Sequence, residues 1–192
     1  TERKERNGRT QERLLEGGKA GPHGITGFAW AKAFHRGLFE RIRFPEGYWF
    51  EDTIIKHLIA PMAAGIFCCE QPVYVYRNRK GSISRNAGSS PKCIDSTWIT
   101  WQMLKDRRVL GLVNDRAYLD YFLRQLVLNF KRERKVPEEI KKQIFSWTAQ
   151  IVRNEFPESV FLKGDWKKGE RLYRSLLEEN YRAYCWYCRL AR

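Results

Sequence analysis

No uninterrupted apolar run approaches the ~18 residues that a membrane-spanning helix needs, so the 192-residue sequence carries no such helix. The opening stretch, TERKERNGRTQERLLEGG, is charged and polar where a signal peptide has an apolar core, so no intact leader is expected. It begins on Thr rather than Met, which makes a processed or excised piece the expectation. Cysteine is sparse and odd in number: Cys68, Cys69, Cys93, Cys185 and Cys188. That is a poor disulfide framework and suits a reducing cytosol. Cys185-Trp-Tyr-Cys188 has C-x-x-C spacing, yet His23, His35 and His57 all lie more than a hundred residues away. Packed apolar cysteines on a terminal helix are therefore expected, not a metal or redox site. There is no internal repeat and no Gly-rich loop of the P-loop or dinucleotide kind. With 43% apolar and 30% charged residues, the chain is long enough for one ordinary domain or two small ones.

What is abundant is positive charge. Thirty-six Lys and Arg against 22 Asp and Glu give +14, which calls for an anionic partner such as nucleic acid, a phosphate-bearing substrate or an acidic membrane surface. The excess is spread evenly along the chain. The densest run, KRERK at Lys131–Lys135, contains a Glu. An even basic surface is compatible with nucleic acid without pointing to it.

The second half reads as helices. Ile94, Trp98, Trp101, Met103 and Leu104 keep helical spacing between Cys93 and Leu110. Asn114 or Asp115 can cap a second helix whose apolar side includes Leu119, Phe122, Leu123, Leu126 and Val127. Pro137, followed by Glu138 and Glu139, opens a third through about Val152. A last helix is predicted from about Lys168 to Leu190, its tyrosines and Trp186 serving the core.

Residues 22–92 are punctuated by Gly and Pro. A helix is expected from Thr53 to Ala64, weakened late by Pro61. Gln71-Pro72-Val-Tyr-Val-Tyr76 alternates as a half-buried strand does. The reading is an α/β piece over residues 1–92 followed by a helical region over 93–192, divided near Ser89-Ser-Pro91.

Three blocks carry a resemblance. They are Gly27-Phe-Ala-Trp30-Ala-Lys32-Ala-Phe34-His-Arg36-Gly-Leu38, then Ile42-Arg43-Phe44-Pro45-Glu46-Gly47 with Glu51-Asp52, then Tyr74-Val-Tyr76-Arg77-Asn-Arg79-Lys-Gly81-Ser82-Ile83-Ser84. In order and spacing they resemble the W-x-K-x-[FY]-x-R-x-L, RFPEG…ED and Y-x-Y-R…GSIS stretches of family 2 glycosyltransferases. The matching part is the C-terminal half of a GT-A catalytic domain. The resemblance implies an inverting transfer in which an acceptor hydroxyl attacks the anomeric carbon and a nucleoside diphosphate departs. Asp52 then takes the role of general base, and Glu51 contacts acceptor or holds the loop. Two adjacent acids at a helix start also suit the helix dipole. Trp30 and Lys32 are expected to line the acceptor side. Arg77, Arg79, Ser82 and Ser84 are expected in a loop over the donor diphosphate, where negative charge builds.

The resemblance also shows what is missing. A GT-A enzyme binds its nucleotide through an N-terminal half ending in a D-x-D-like motif that holds Mg or Mn. No two of the six aspartates here are spaced i,i+2. The divalent metal is therefore expected in the full-length enzyme, on ligands outside this chain. The implied partners are a nucleotide-sugar donor, UDP-linked by family frequency, and a carbohydrate or glycoconjugate acceptor. A cytoplasmic location follows, peripheral at the inner face of the membrane if the basic surface meets anionic lipid. Homo-oligomerisation stays open. Two alternatives stand beside this reading: a noncatalytic basic helical module binding RNA or another polyanion, and a transferase relic serving as scaffold.

Overall fold

A computed structural model of the chain describes residues 13–16, 25–69, 71–77, 79–156 and 167–191, which are mainly helical. The five longest helices form the second half: α3 (Asp95–Val109), α4 (Arg116–Arg132), α5 (Glu138–Glu155), α6 (Lys167–Leu177) and α7 (Tyr181–Leu190). Asp115 caps α4, its carboxylate accepting from the Tyr118 amide at 2.9 Å. Leu119, Phe122, Leu123, Leu126 and Val127 then face a core shared with Phe145, Ala149 and Val152 of α5. Pro137 precedes α5, with Glu138 and Glu139 in its first turn.

The single terminal helix expected over 168–190 is two. Glu179 takes φ 51°, in the left-handed region, and stops α6. Asn180 donates its amide to the Ser175 carbonyl at 2.8 Å and caps α7 by accepting from Ala183 at 3.0 Å. Leu172, Tyr173 and Leu176 of α6, with Tyr184, Cys185 and Cys188 of α7, close the main core. Trp186 stays exposed. Both thiols of the C-x-x-C pair are packed, and burial pushes the Cys188 thiol up to about 12.

The described residues of 25–92 have little regular structure. Tight turns at Glu51–Thr53, a wide helical turn at Ile55–Ile59 and α1 (Ala60–Met62) make one irregular helical run. Pro61 has no N–H for the His57 carbonyl, and Arg107 of α3 supplies the donor instead, at 2.8 Å. The two strands, β1 (Arg13–Glu16) and β2 (Gly65–Cys68), pair antiparallel with Leu14 opposite Phe67. The predicted strand over 71–76 pairs with nothing among the described residues. Val73 and Val75 are 69% and 91% exposed, while Tyr74 and Tyr76 lean the other way onto Trp30. The alternation is real, but a strand needs a hydrogen-bonded neighbour, and here the tyrosines find an aromatic ring instead. The described part of 1–92 thus holds two short strands where an α/β layer was expected. A helix, α2 (Ile83–Asn86), leads through further tight turns to α3.

α3 serves both halves. Trp101 and Leu104 enter the main core; Ile99 and Met103 enter a second one with Ile42, Ile54, Ile55, Leu58 and Ile59.

Candidate functional site

The Asp52 turn is held from its N-terminal side. Gly47, at φ 81°, makes the bend after Phe44-Pro45-Glu46 in a conformation that disfavours a side chain. Its carbonyl accepts from Lys92 Nζ at 2.6 Å. The Trp49 amide donates to Asp95 Oδ2 at 2.8 Å, and Lys92 and Asp95 pair at 3.4 Å. Phe50 follows at φ 67°, strained for a bulky residue. It is buried, and the Arg132 guanidinium lies 3.7 Å from its ring centroid. Asp52 comes two residues later, half-buried, with Glu51 exposed beside it. Burial raises the Asp52 carboxyl above the usual range and the Glu51 charge adds to this, against the pull of Arg132 and Lys32.

Lys32 is tied to the loop before it, donating to Thr26 Oγ1 at 2.7 Å and the Phe28 carbonyl at 2.6 Å. Burial lowers its ammonium; Asp52 opposes that shift and Lys56 adds to it. Trp30 lies in neither core. It stacks on Phe28, Tyr74 and Tyr76 with centroids 4.8, 5.0 and 5.3 Å away. The exposed rings of Phe28, Tyr74 and Tyr76 make this an open aromatic surface.

The third block is less engaged. Arg77 and Arg79 are exposed. Ser82 begins α2 without a side-chain capping bond; its amide donates to the Arg79 carbonyl at 3.2 Å. Asn86 Nδ2 closes the loop on the Lys80 carbonyl at 2.9 Å. Ser84 falls within α2, its side chain outside the described residues. Trp30 therefore meets Tyr74 and Tyr76, whereas Lys32 spends its described hydrogen bonds on Thr26 and Phe28 and makes no described hydrogen bond or ion pair to Asp52. No described hydrogen bond or ion pair joins Arg77, Arg79 or Ser82 to Asp52.

The groups under the turn were not picked out from the sequence. Arg132 and Glu133 of the KRERK run point inward. Arg132 donates to Ser96 Oγ, which donates to Asn129 Oδ1 at 2.6 Å; Asn129 Nδ2 reaches Thr100 at 2.9 Å, and Gln125 Nε2 reaches Asn129 at 2.9 Å. Thr97 donates to Glu133, whose carboxyl burial pushes up to about 7. Burial likewise lowers Arg132 to about 10. Beneath the next turn, His57 Nδ1 lies 3.1 Å from Tyr118 Oη, and burial, with Arg107 and Lys56 adding to it, lowers the imidazole to about 3. The signal was a polar stripe: Gln125, Asn129, Arg132 and Glu133 share the period of the apolar stripe beside them, opposite Ser96, Thr97 and Thr100.

Among the described residues no group of three His, Cys, Asp or Glu side chains converges as a metal site, and Asp52 is coupled to cationic side chains instead. The described residues therefore do not fit the Mg or Mn that the resemblance implies. No described helix is long and apolar enough to cross a membrane. No family model, no curated protein and no solved structure matches the chain.

Proposed function

We propose that the chain supplies the acceptor side of an inverting glycosyltransferase of the family 2 kind, including the C-terminal part of its GT-A domain. The observation that carries the reading is the meeting of separate sequence blocks. Trp30 of the first stacks on Tyr74 and Tyr76 of the third, and the Lys32 charge, from the same first block, opposes the rise of the Asp52 carboxyl in the second.

In this reading an acceptor sugar lies on the exposed rings around Trp30, which offer an apolar surface to its C–H face. Asp52 accepts the proton of the attacking hydroxyl. A raised carboxyl pKa is the direction a general base working near neutrality needs. Arg132 and Lys32 oppose the rise of the Asp52 carboxyl, and Glu51 at the exposed edge receives a second acceptor hydroxyl. Arg77, Arg79, Ser82 and Ser84 close over the departing diphosphate as charge builds on it. The donor is a nucleotide sugar, UDP-linked, bound with Mg or Mn on residues outside this chain. The location is cytoplasmic, at the membrane's inner face.

In the enzyme containing this sequence, Asp52→Asn is expected to spare donor binding, read by calorimetry, and to cut sugar transfer by about 10²–10⁴-fold. Preserved transfer removes Asp52 from the mechanism. Arg79→Ala should raise the donor KM, and unchanged donor kinetics count against a closing loop.

A further inference from the structure

We propose that the face formed by residues 41–48 and the outer side of α3 docks on an anionic lipid bilayer, its cleft receiving an acyl chain. This gives a surface to the membrane location of the transferase reading and rests on it for that location alone, since vesicle binding is read without sugar transfer. The cleft has a volume near 400 Å³, within the range of ligand sites. Its apolar walls are Pro45, Val109 and Leu110, set over the buried Ile42, Ile54 and Ile99 of the second core. Its rim is amphipathic and mainly cationic, with Arg41, Arg43, Tyr48 and Trp98. Arg41 is committed to the fold, donating to the Val109 carbonyl at 2.6 Å. Arg43 is exposed, and among the described residues no hydrogen bond or ion pair engages it. The rim's one acid, Asp106, accepts from Gln102 at 2.9 Å.

The surface beside the cleft has the same character. Trp98 and Trp147 stand 48% and 47% exposed with centroids 6.3 Å apart, and Tyr48 is 48% exposed. Both indoles pack on a third, Trp101, whose Nε1 is anchored to Thr148 at 3.2 Å. Each indole is packed on Trp101 and leaves about half of its surface to solvent. Such rings settle at the headgroup level of a bilayer, apolar body inward and N–H outward. Lys105 lies on the exposed stripe of α3 with Trp98 and Val109 and joins Arg43 as a phosphate contact. The net charge of +14 supplies long-range attraction to the same surface. Charge complementarity and an apolar slot under the aromatics together select a lipid surface. A single-stranded nucleic acid would need the aromatics to lie in a cationic groove instead.

Vesicle co-sedimentation of the full chain tests this, comparing phosphatidylcholine alone with vesicles containing about one-third phosphatidylglycerol. We expect binding to the anionic vesicles only, with tryptophan emission quenched by brominated acyl chains. Trp98→Ser with Trp147→Ser should weaken the partition about tenfold and abolish the added quenching. Arg43→Ala should weaken it about fivefold, and being exposed it leaves the fold unchanged on circular dichroism. Three results would overturn the proposal: no binding to the anionic vesicles, binding indifferent to all three substitutions, or a dimer in sedimentation velocity that the tryptophan substitutions abolish. The last would make the occupant a second copy of the chain.

Discussion

Phe50 has a backbone conformation few bulky residues adopt, and Arg132 is the side chain that faces it. The guanidinium covers the ring, anchors on Ser96 and lowers the Asp52 carboxyl by its charge. Arg132→Met removes all three. We expect a loss of about 1–3 kcal/mol, from Ser96 left without its charged donor and the Phe50 ring left without its guanidinium. We also expect the Asp52 carboxyl to titrate at higher pH. Arg132→Lys separates the effects, because it keeps the charge and loses the planar contact. Denaturant unfolding and a carbon-detected NMR titration of Asp52 read both quantities. An Asp52 titration unmoved in Arg132→Met would show that the helical region does not set the charge of this turn. The sequence marked Asp52 through its flanking blocks and left Arg132 inside a charge run. Local sequence records a charge, while the direction a charged side chain takes depends on partners more than thirty residues away.

At the scale of elements, what was legible is what local chemistry decides. Asp115 caps α4, and Pro137 with two glutamates opens α5, because those groups act on amides and dipoles within one turn. The break between α6 and α7 was missed although Asn180 is a good cap, since the apolar period runs on through it. The segment 71–76 shows the converse error: alternation specifies two faces and says nothing of a neighbouring strand. The irregular run 51–62 depends on Arg107, which reaches the His57, Val113 and Asn114 oxygens and lies 3.5 Å from the Tyr118 ring centroid. Arg107→Met should cost about 3 kcal/mol, from buried acceptors left unpaired. Pro61→Ala restores an N–H that the His57 carbonyl can use. The double variant should therefore be less destabilised than the sum of the singles, by about 1 kcal/mol in a double-mutant cycle of urea unfolding. Strict additivity would show that the carbonyl gains nothing from the restored amide.

Across the whole molecule, α3 belongs to both cores, so residues on either side of it report on one another through folding. Two buried titratable groups sit near the joint, and their linkages have opposite signs. Glu133 holds its proton up to about 7 when folded, against an ordinary value of 4.5. The folded state therefore binds more protons than the unfolded in that window, and stability falls as pH rises through it, by an amount of the order of 3 kcal/mol. Asp52, also raised, adds in the same direction. His57 is lowered from 6.5 to about 3, so the unfolded state binds the extra proton and stability falls as pH drops through that range. Between roughly pH 4.5 and 6.5 the Glu133 and His57 slopes oppose each other, and the native profile should be shallow. Glu133→Gln keeps an acceptor for Thr97 and removes one of the two slopes. Its stability by urea unfolding should rise with pH across that interval where the native chain changes little, and above pH 7 it should exceed the native chain. A variant profile parallel to the native one would mean that Glu133 is ionised in the fold throughout, held by Arg132 and Lys141 against its burial. The polar stripe of α4 would then be an ion-pair network rather than a hydrogen-bonded one.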